Sequence, residues 1–292
     1  METKKPLIAC IGELVWDLLP GGKQIGGAPC NFAFHAQQAG CDSQIISAVG
    51  ADDLGVEMVN TIKDLGLNTR LIQTNQFPTG SVGVALQEDG QPIFTIHEQV
   101  AWDAISPNEH SLNLARNADA ISFGSLAQRE GESKRTIQRL LNETHSDCLK
   151  VFDINLRQHF YTSETILDSI ERADILKLSE EELPVVASFD ALTGTISEQL
   201  NQLLLKRDLK YILYTLGSKG SIIIGRDEYS FLDAPKVKVA DTVGAGDAFA
   251  AVFTAGLLLG KPLSVIHREA TEIAAWVCSQ KGATPYWPGT KH

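Results

Sequence analysis

Short apolar runs alternate with helix-patterned stretches along almost the whole chain. "LIACIG" from Leu7, "SQIISAVG" from Ser43, "AISFGS" from Ala120, "KVFDIN" from Lys150, "DILKLS" from Asp174 and "YILYTLG" from Tyr211 are the clearest runs. Continuous apolarity over so few residues predicts strands buried on both faces. Between them, "NFAFHAQQAG", "DLGVEMVNTIKDLG" and "ESKRTIQRLLNET" repeat apolar residues at helical spacing, and the first two stop at Gly40 and Gly66. A further helix is predicted in "AFAAVFTAGLLLG", closed by Gly260 with Lys261-Pro262 behind it. This alternation predicts an α/β fold: a doubly wound, mostly parallel central sheet with helices on both faces.

Two places break the rhythm. "SVGVALQEDGQPIFTI" alternates around Asp89-Gly90 and predicts a hairpin, and "ELVWDLLPGGKQIGG" is extended and rich in glycine. Together they predict a small antiparallel β lid, built from about 13–28 and about 78–104. With no repeat, linker or low-complexity tract, residues 1–292 are expected to form a single domain with that lid.

Composition narrows the partners. A formal net charge of -11 argues against nucleic acid or an anionic membrane. Five scattered cysteines without a C-x-x-C point to reduced thiols and no zinc site. There is no signal-peptide pattern, and the longest weakly polar run is too short to span a bilayer, so a cytoplasmic protein is expected. The seven histidines show no ligand spacing and are expected mostly on the surface.

The chemistry is concentrated in "DTVGAGDAFA", Asp241 to Ala250. Two glycines and an acid are an odd way to begin a helix. Backbone amides of a glycine-rich loop at a helix N-terminus converge on an anion, so Gly244-Ala245-Gly246 suits a phosphate. Asp247 then stands beside that anion. Two readings remain open here: a carboxylate complementing the helix dipole, or a base that takes the proton of a hydroxyl attacking the phosphate. Other signatures are missing. There is no G-x-x-x-x-G-K-[ST], the dinucleotide fingerprint lacks its third glycine, and no H-E-x-x-H or G-x-S-x-G occurs.

"DTVGAGDAF" resembles the C-terminal signature of the PfkB, or ribokinase-like, family of sugar kinases. "GELVWDLLPGGKQIGGAPCNFAFHAQQAG" resembles its N-terminal half-site, with the acid Asp17, the pair Gly26-Gly27, and Asn31 opening a helix. "KLSEEEL" and "YTLGSKGS" fall where the family carries nucleotide-site motifs. The motifs follow the family order from Gly12 to Pro285, and "NLAR", "FGSLAQR" and "DINLR" add a resemblance to bacterial fructokinases.

The resemblance implies roles. Asp247 is the catalytic base, with the Gly244, Ala245 and Gly246 amides as anion hole. Asp17, Gly26, Gly27 and Asn31 hold sugar hydroxyls, and Arg157 clamps phosphate or sugar. Ser179, Glu182, Thr215, Gly217, Gly220 and Thr242 border ATP, with Glu182 organising Mg2+ through water. The family asparagine is replaced here by Ser179, which leaves the phosphate or metal contact open. Lys219 is read as an exposed turn lysine. Asp241 with the carbonyls of Val243 and Gly282 is a candidate K+ site. Trp102 and Phe94 either cover an apolar sugar face or pack at a lid-to-lid homodimer.

The expected activity is transfer of the γ-phosphoryl group of ATP to a sugar hydroxyl, with fructose giving fructose 6-phosphate. 2-Keto-3-deoxygluconate, whose carboxylate would use Arg157, is the alternative acceptor. A catalytically weak sugar-binding regulator is the alternative outside enzymes.

Overall fold

The structure is a computed structural model that describes residues 4–19, 21–86 and 92–289. The chain lays down β1 (Leu7–Ile11), β2 (Val15–Leu19), β3 (Gly22–Gly26), α1 (Ala28–Gln38), β4 (Asp42–Gly50), α2 (Asp53–Asp64), β5 (Ile72–Asn75), β6 (Ser81–Leu86) and β7 (Pro92–Ile96). It continues with α3 (Glu109–Asn117), β8 (Ala120–Gly124), α4 (Gly131–Glu143), β9 (Leu149–Asp153), α5 (Ser163–Arg172), β10 (Ile175–Ser179), α6 (Leu183–Asp190) and α7 (Ile196–Lys206). It ends with β11 (Tyr211–Thr215), β12 (Ser221–Gly225), β13 (Tyr229–Leu232), α8 (Ala245–Leu258) and α9 (Leu263–Cys278). All six apolar runs are strands. Gly40 and Gly66 both take positive φ behind α1 and α2.

The central sheet has nine strands in the order β13-β12-β11-β10-β9-β8-β1-β4-β5. It is parallel from β5 to β11 and antiparallel at β12 and β13. Strand alternation sends Ile8 and Cys10 to one face and Ala9 and Ile11 to the other. The first face packs on α1, α2, α8 and α9 through Phe32, Met58, Phe253 and Ile266. The second packs on α3 to α7 through Leu112, Ile137, Ile166, Val186 and Leu203. The sheet is therefore doubly wound.

The order reverses at β1, which has β4 on one side and β8 on the other. Ligands in such sheets bind beyond the carboxyl ends of the strands at this switch point. Most of the sequence-flagged loops lie at this edge.

A second sheet has four strands in the order β3-β2-β6-β7. It consists of two antiparallel hairpins, β2-β3 and β6-β7, joined by a parallel pairing of β2 with β6. The Asp89-Gly90 turn lies outside the described residues. Trp16 anchors this sheet by donating from Nε1 to Leu54 O at 3.0 Å, and Lys23 pairs with Glu57 at 2.5 Å, so both bonds run to α2.

Candidate active site

Helix α8 begins at Ala245, earlier than the apolar pattern alone predicts, so the glycine loop supplies its first turn. Its N-cap, Gly244, has φ 80° and offers no side chain. The Gly244 and Gly246 amides have no protein acceptor among the described residues, and Ala245 N reaches Thr242 O only at 3.4 Å. A helix start with orphan amides and the positive end of its dipole is an anion site. A Cβ on Gly244 would stand 2.5 Å from Ala283 Cβ, so close packing of two loops, besides positive φ, requires glycine here.

Asp247 projects from this turn, and its Oδ2 accepts from Asn31 Nδ2 at 2.8 Å, joining residues 216 apart in sequence. Asn31 is only 3% exposed, and its Oδ1 is buried with no donor. Since Asn31 must turn its NH2 to the carboxylate, its carbonyl is left to accept from a ligand. Burial pushes the Asp247 carboxyl up, while the Asn31 bond, Lys177 and Arg157 pull it back. A half-buried acid so held is poised to take a proton.

Gly27 caps α1 at φ 112°, and a Cβ there would collide with Glu13 O. The backbone thereby folds tightly against the turn after β1. Glu13 itself is buried and accepts from Ala28 N at 3.2 Å. Asp17 lies on β2, where a Cβ on Gly26 would stand 2.8 Å from its Oδ2. Burial raises its carboxyl, Arg157 lowers it and Asp241 raises it, so both reach this acid by charge. Arg157 is exposed and has no ion-pair partner among the described residues. Arg157 therefore lies within charge range of Asp17, Asp247 and Glu13, and Asn31 is hydrogen-bonded to Asp247.

Glu182, at the start of α6, accepts from Ser179 N at 2.7 Å and from Leu156 N at 2.9 Å. It clips the loops after β9 and β10 together, and each oxygen keeps a lone pair for water. Thr215 ends β11 opposite Ser179. Gly217 and Gly220 bound the turn that follows, from which Lys219 pairs with Glu180 at 2.7 Å, as an exposed lysine does. Thr242 is exposed in the loop before α8. Asp241 accepts from the Val243 and Gly282 amides at 3.0 and 3.3 Å, so the structure gathers these three through N–H groups rather than carbonyls.

The sequence matches the pfkB family carbohydrate kinase profile over residues 12–289. The chain belongs to that family. This carbohydrate kinase is similar to a sugar kinase of Pyrococcus horikoshii whose structure aligns at TM-score 0.80 and 28% identity, covering 95% of this chain and 93% of that one. It is 25% identical to fructokinase-1 of Zea mays, over 99% of this chain and 96% of the relative. A fructokinase of Xylella fastidiosa shares the fold at TM-score 0.81 and 21% identity, over 95% of this chain and 94% of that one. The kinase is thus a phosphotransferase acting on a sugar hydroxyl.

One expected site residue of the kinase is displaced. Trp102 lies in a short 3-10 turn over Ala101–Ala104 and is 0% exposed. It packs under Gly80, with the Arg129 guanidinium 4.0 Å from its ring centre, so it presents no face to a sugar. The turn aims it into the apolar core, which an alternating pattern cannot reveal. Phe94 lies on β7, and its side chain is outside the description. Two histidines also leave the surface. His35 and His267 are both buried.

Sequence reasoning missed Glu13 and the buried Lys177, whose Nζ lies 2.9 Å from Oδ1 of Asp153 in "DINLR". A lysine inside the apolar strand "ILKLS" was the available signal. No group of three or more histidine, cysteine or acidic side chains able to hold a metal gathers among the described residues.

Proposed function

We propose that this kinase transfers the γ-phosphoryl group of ATP to a hydroxyl of fructose, giving fructose 6-phosphate. The observation that carries the reading is Asp247, hydrogen-bonded to Asn31, in the same helix turn as the unpaired Gly244 and Gly246 amides. Base and anion hole thus sit within one turn.

In the proposed step the sugar oxygen bonds to the γ-phosphorus as the bridging oxygen leaves on ADP, and the hydroxyl proton passes to Asp247. The first-turn amides of α8 stabilise the charge that develops on the transferring phosphoryl. Losing one such donor costs about 3 kcal/mol of transition-state stabilisation. Asp17, Gly26, Gly27 and Asn31 orient the sugar, with Asn31 Oδ1 accepting a hydroxyl. Arg157, within charge range of Asp17 and Asp247, clamps phosphate or sugar. Ser179, Thr215, Gly217, Gly220 and Thr242 border the nucleotide, and the Pyrococcus sugar kinase is itself known in complex with ATP.

Mg2+ neutralises nucleotide phosphate charge when bound. Glu182, with both oxygens on backbone amides and lone pairs to spare, suits contact through water. A K+ site between the Asp241 and Gly282 loops is proposed from the family resemblance alone, since the contacts that join the loops are amide N–H groups on Asp241 and not carbonyls. The four-stranded sheet serves as a lid that keeps water from the γ-phosphate.

The choice of fructose rests on "GELVWDLLP", "FGSLAQR" and "DINLR" and on a relative named fructokinase. ATP consumption with Mg2+ and K+ against fructose, 2-keto-3-deoxygluconate, fructose 6-phosphate, ribose, glucose and adenosine tests it. Turnover centred on fructose is expected. Turnover on another acceptor replaces the substrate, and sugar binding without turnover on any overturns the kinase mechanism. Asp247→Asn is expected to lower kcat at least about a hundredfold. Calorimetry should show near-normal affinity for ATP and sugar.

A further inference from the structure

Among the described residues Lys177 is the one lysine the fold buries, and it is 7% exposed. It sits mid-strand in β10, between the fully buried Leu176 and Leu178. Burying an ammonium there is unfavourable unless partners compensate. Asp153 on the neighbouring β9 is 2.9 Å away. That pairing answers only half the question, because two apolar residues would fill the space without loss.

The other half lies above the strand. A Cβ on Gly246 would stand 3.1 Å from Lys177 Nζ, so the ammonium lies directly under the first turn of α8. That turn carries both the anion hole and Asp247. Two residues further on the same face of β10 is Ser179.

We propose that Lys177 is a positioning residue of the phosphoryl-transfer centre: it keeps Asp247 in the ionised, proton-accepting form and, with Asp153, seats the anion-hole turn on the sheet. The proposal rests on the kinase reading of the site and adds a residue to it.

The charges around Asp247 show why the cation is needed. Asn31 donates to Asp247 from α1, and the Cys30 thiol feels its charge from the same helix. Glu13 faces it from the turn after β1, Asp153 from β9 and Arg157 from the loop beyond. Glu13 and Asp153 oppose ionisation of Asp247, and Glu182 adds to the acidic field at Asp153. Arg157 and Lys177 favour it. Arg157 is exposed and screened by solvent, whereas Lys177 is not. Burial pulls the Lys177 ammonium down, but Asp153, Glu182 and Asp247 more than restore it, so it stays charged.

The assignment makes two opposite demands. Removing the cation should raise the Asp247 titration midpoint, and removing Asp153's charge should lower it. Carboxyl 13C NMR of aspartate-labelled protein reads this directly, with the Asp247 signal identified by its loss in Asp247→Asn. Lys177→Met is expected to shift that midpoint, and the acid limb of kcat against pH, upward by about one unit or more. Asp153→Asn should shift both downward, and Lys177→Arg should return them close to wild type. A midpoint unmoved in a folded Lys177→Met protein, or shifts of the same sign in the two variants, overturns the proposal. Should Lys177→Met fail to fold, Asp153→Asn decides: a downward shift supports the assignment and no shift refutes it. The NMR midpoint needs no turnover. Absence of turnover on every sugar would therefore sink the kinase reading while Lys177 is still judged.

Discussion

Gly244 concentrates two constraints in one residue. Its φ of 80° is left-handed, and the space a side chain would need is taken by Ala283. Gly244→Ala should therefore lift the first turn of α8 away from its seat. Strain of this kind costs about 1–3 kcal/mol. We expect a lowered melting temperature and a kcat reduced at least about tenfold, checked by calorimetry and initial rates. Unchanged rates would show that the turn does not form the anion hole. Asp247, Gly244 and Gly246 were legible in the sequence because their meaning is local: adjacent residues on one turn. Asn31 was expected to open a helix, but α1 starts at Ala28 behind the cap Gly27, so Asn31 stands a turn inside it, and its bond to Asp247 was not legible either. Glu13 and Lys177 were illegible for a physical reason. An acid beside a strand or a lysine within one acquires a role only through groups brought to it by the fold, here Ala28, Asp153 and Gly246.

At the scale of elements, β2 links position to chemistry. Alternation puts Trp16 on the face toward α2 and Asp17 on the opposite face. The Trp16 bond to Leu54 thus sets where Asp17 sits. Trp16→Phe keeps the apolar packing and removes one hydrogen bond worth about 1 kcal/mol. The expected result is a KM for the accepted sugar raised roughly fivefold, with the KM for ATP unchanged. A fall in kcat with both KM values constant would contradict this role. The buried strands of the sheet were legible because a sheet covered on both faces leaves continuous apolar runs. The edge strands β5 and β13 were not picked out, since edges carry mixed polarity, and β12, one place in from the edge, was missed despite its apolar run Ile222 to Ile224. Trp102 was misplaced for a similar reason, because a short 3-10 turn has no period to read.

For the whole molecule, His35 ties the first helix to the C-terminal loop. Its Nε2 lies 2.9 Å from Ala283 O, and Trp287 Nε1 donates to its Nδ1 at 3.0 Å. A carbonyl only accepts and an indole only donates, which fixes a neutral ring with its proton on Nε2. Burial pushes this imidazole down to about 4 from its ordinary 6.5, with the Ala283 bond resisting. The unfolded chain takes up a proton near 6.5 and the folded protein does not. Stability from His35 is therefore complete above pH 6.5 and is lost as pH falls toward 4. The slope is about 1.4 kcal/mol per pH unit. The stability advantage of wild type over His35→Gln should shrink by about 2 kcal/mol between pH 7 and pH 5. Urea melts at the two pH values measure it, and a constant difference would refute a neutral buried His35.

The bond between Asn31 and Asp247 joins two distant ends of the chain. Among the described residues every strand, of the central sheet and the small sheet alike, is complete by Leu232, before the loop that carries Asp247 begins. During synthesis every strand therefore leaves the ribosome ahead of Asp247, while the face that α8 and α9 will cover is still bare. On the proposed reading, a nascent chain carries the residues that would hold the sugar long before it has the one that would take its proton.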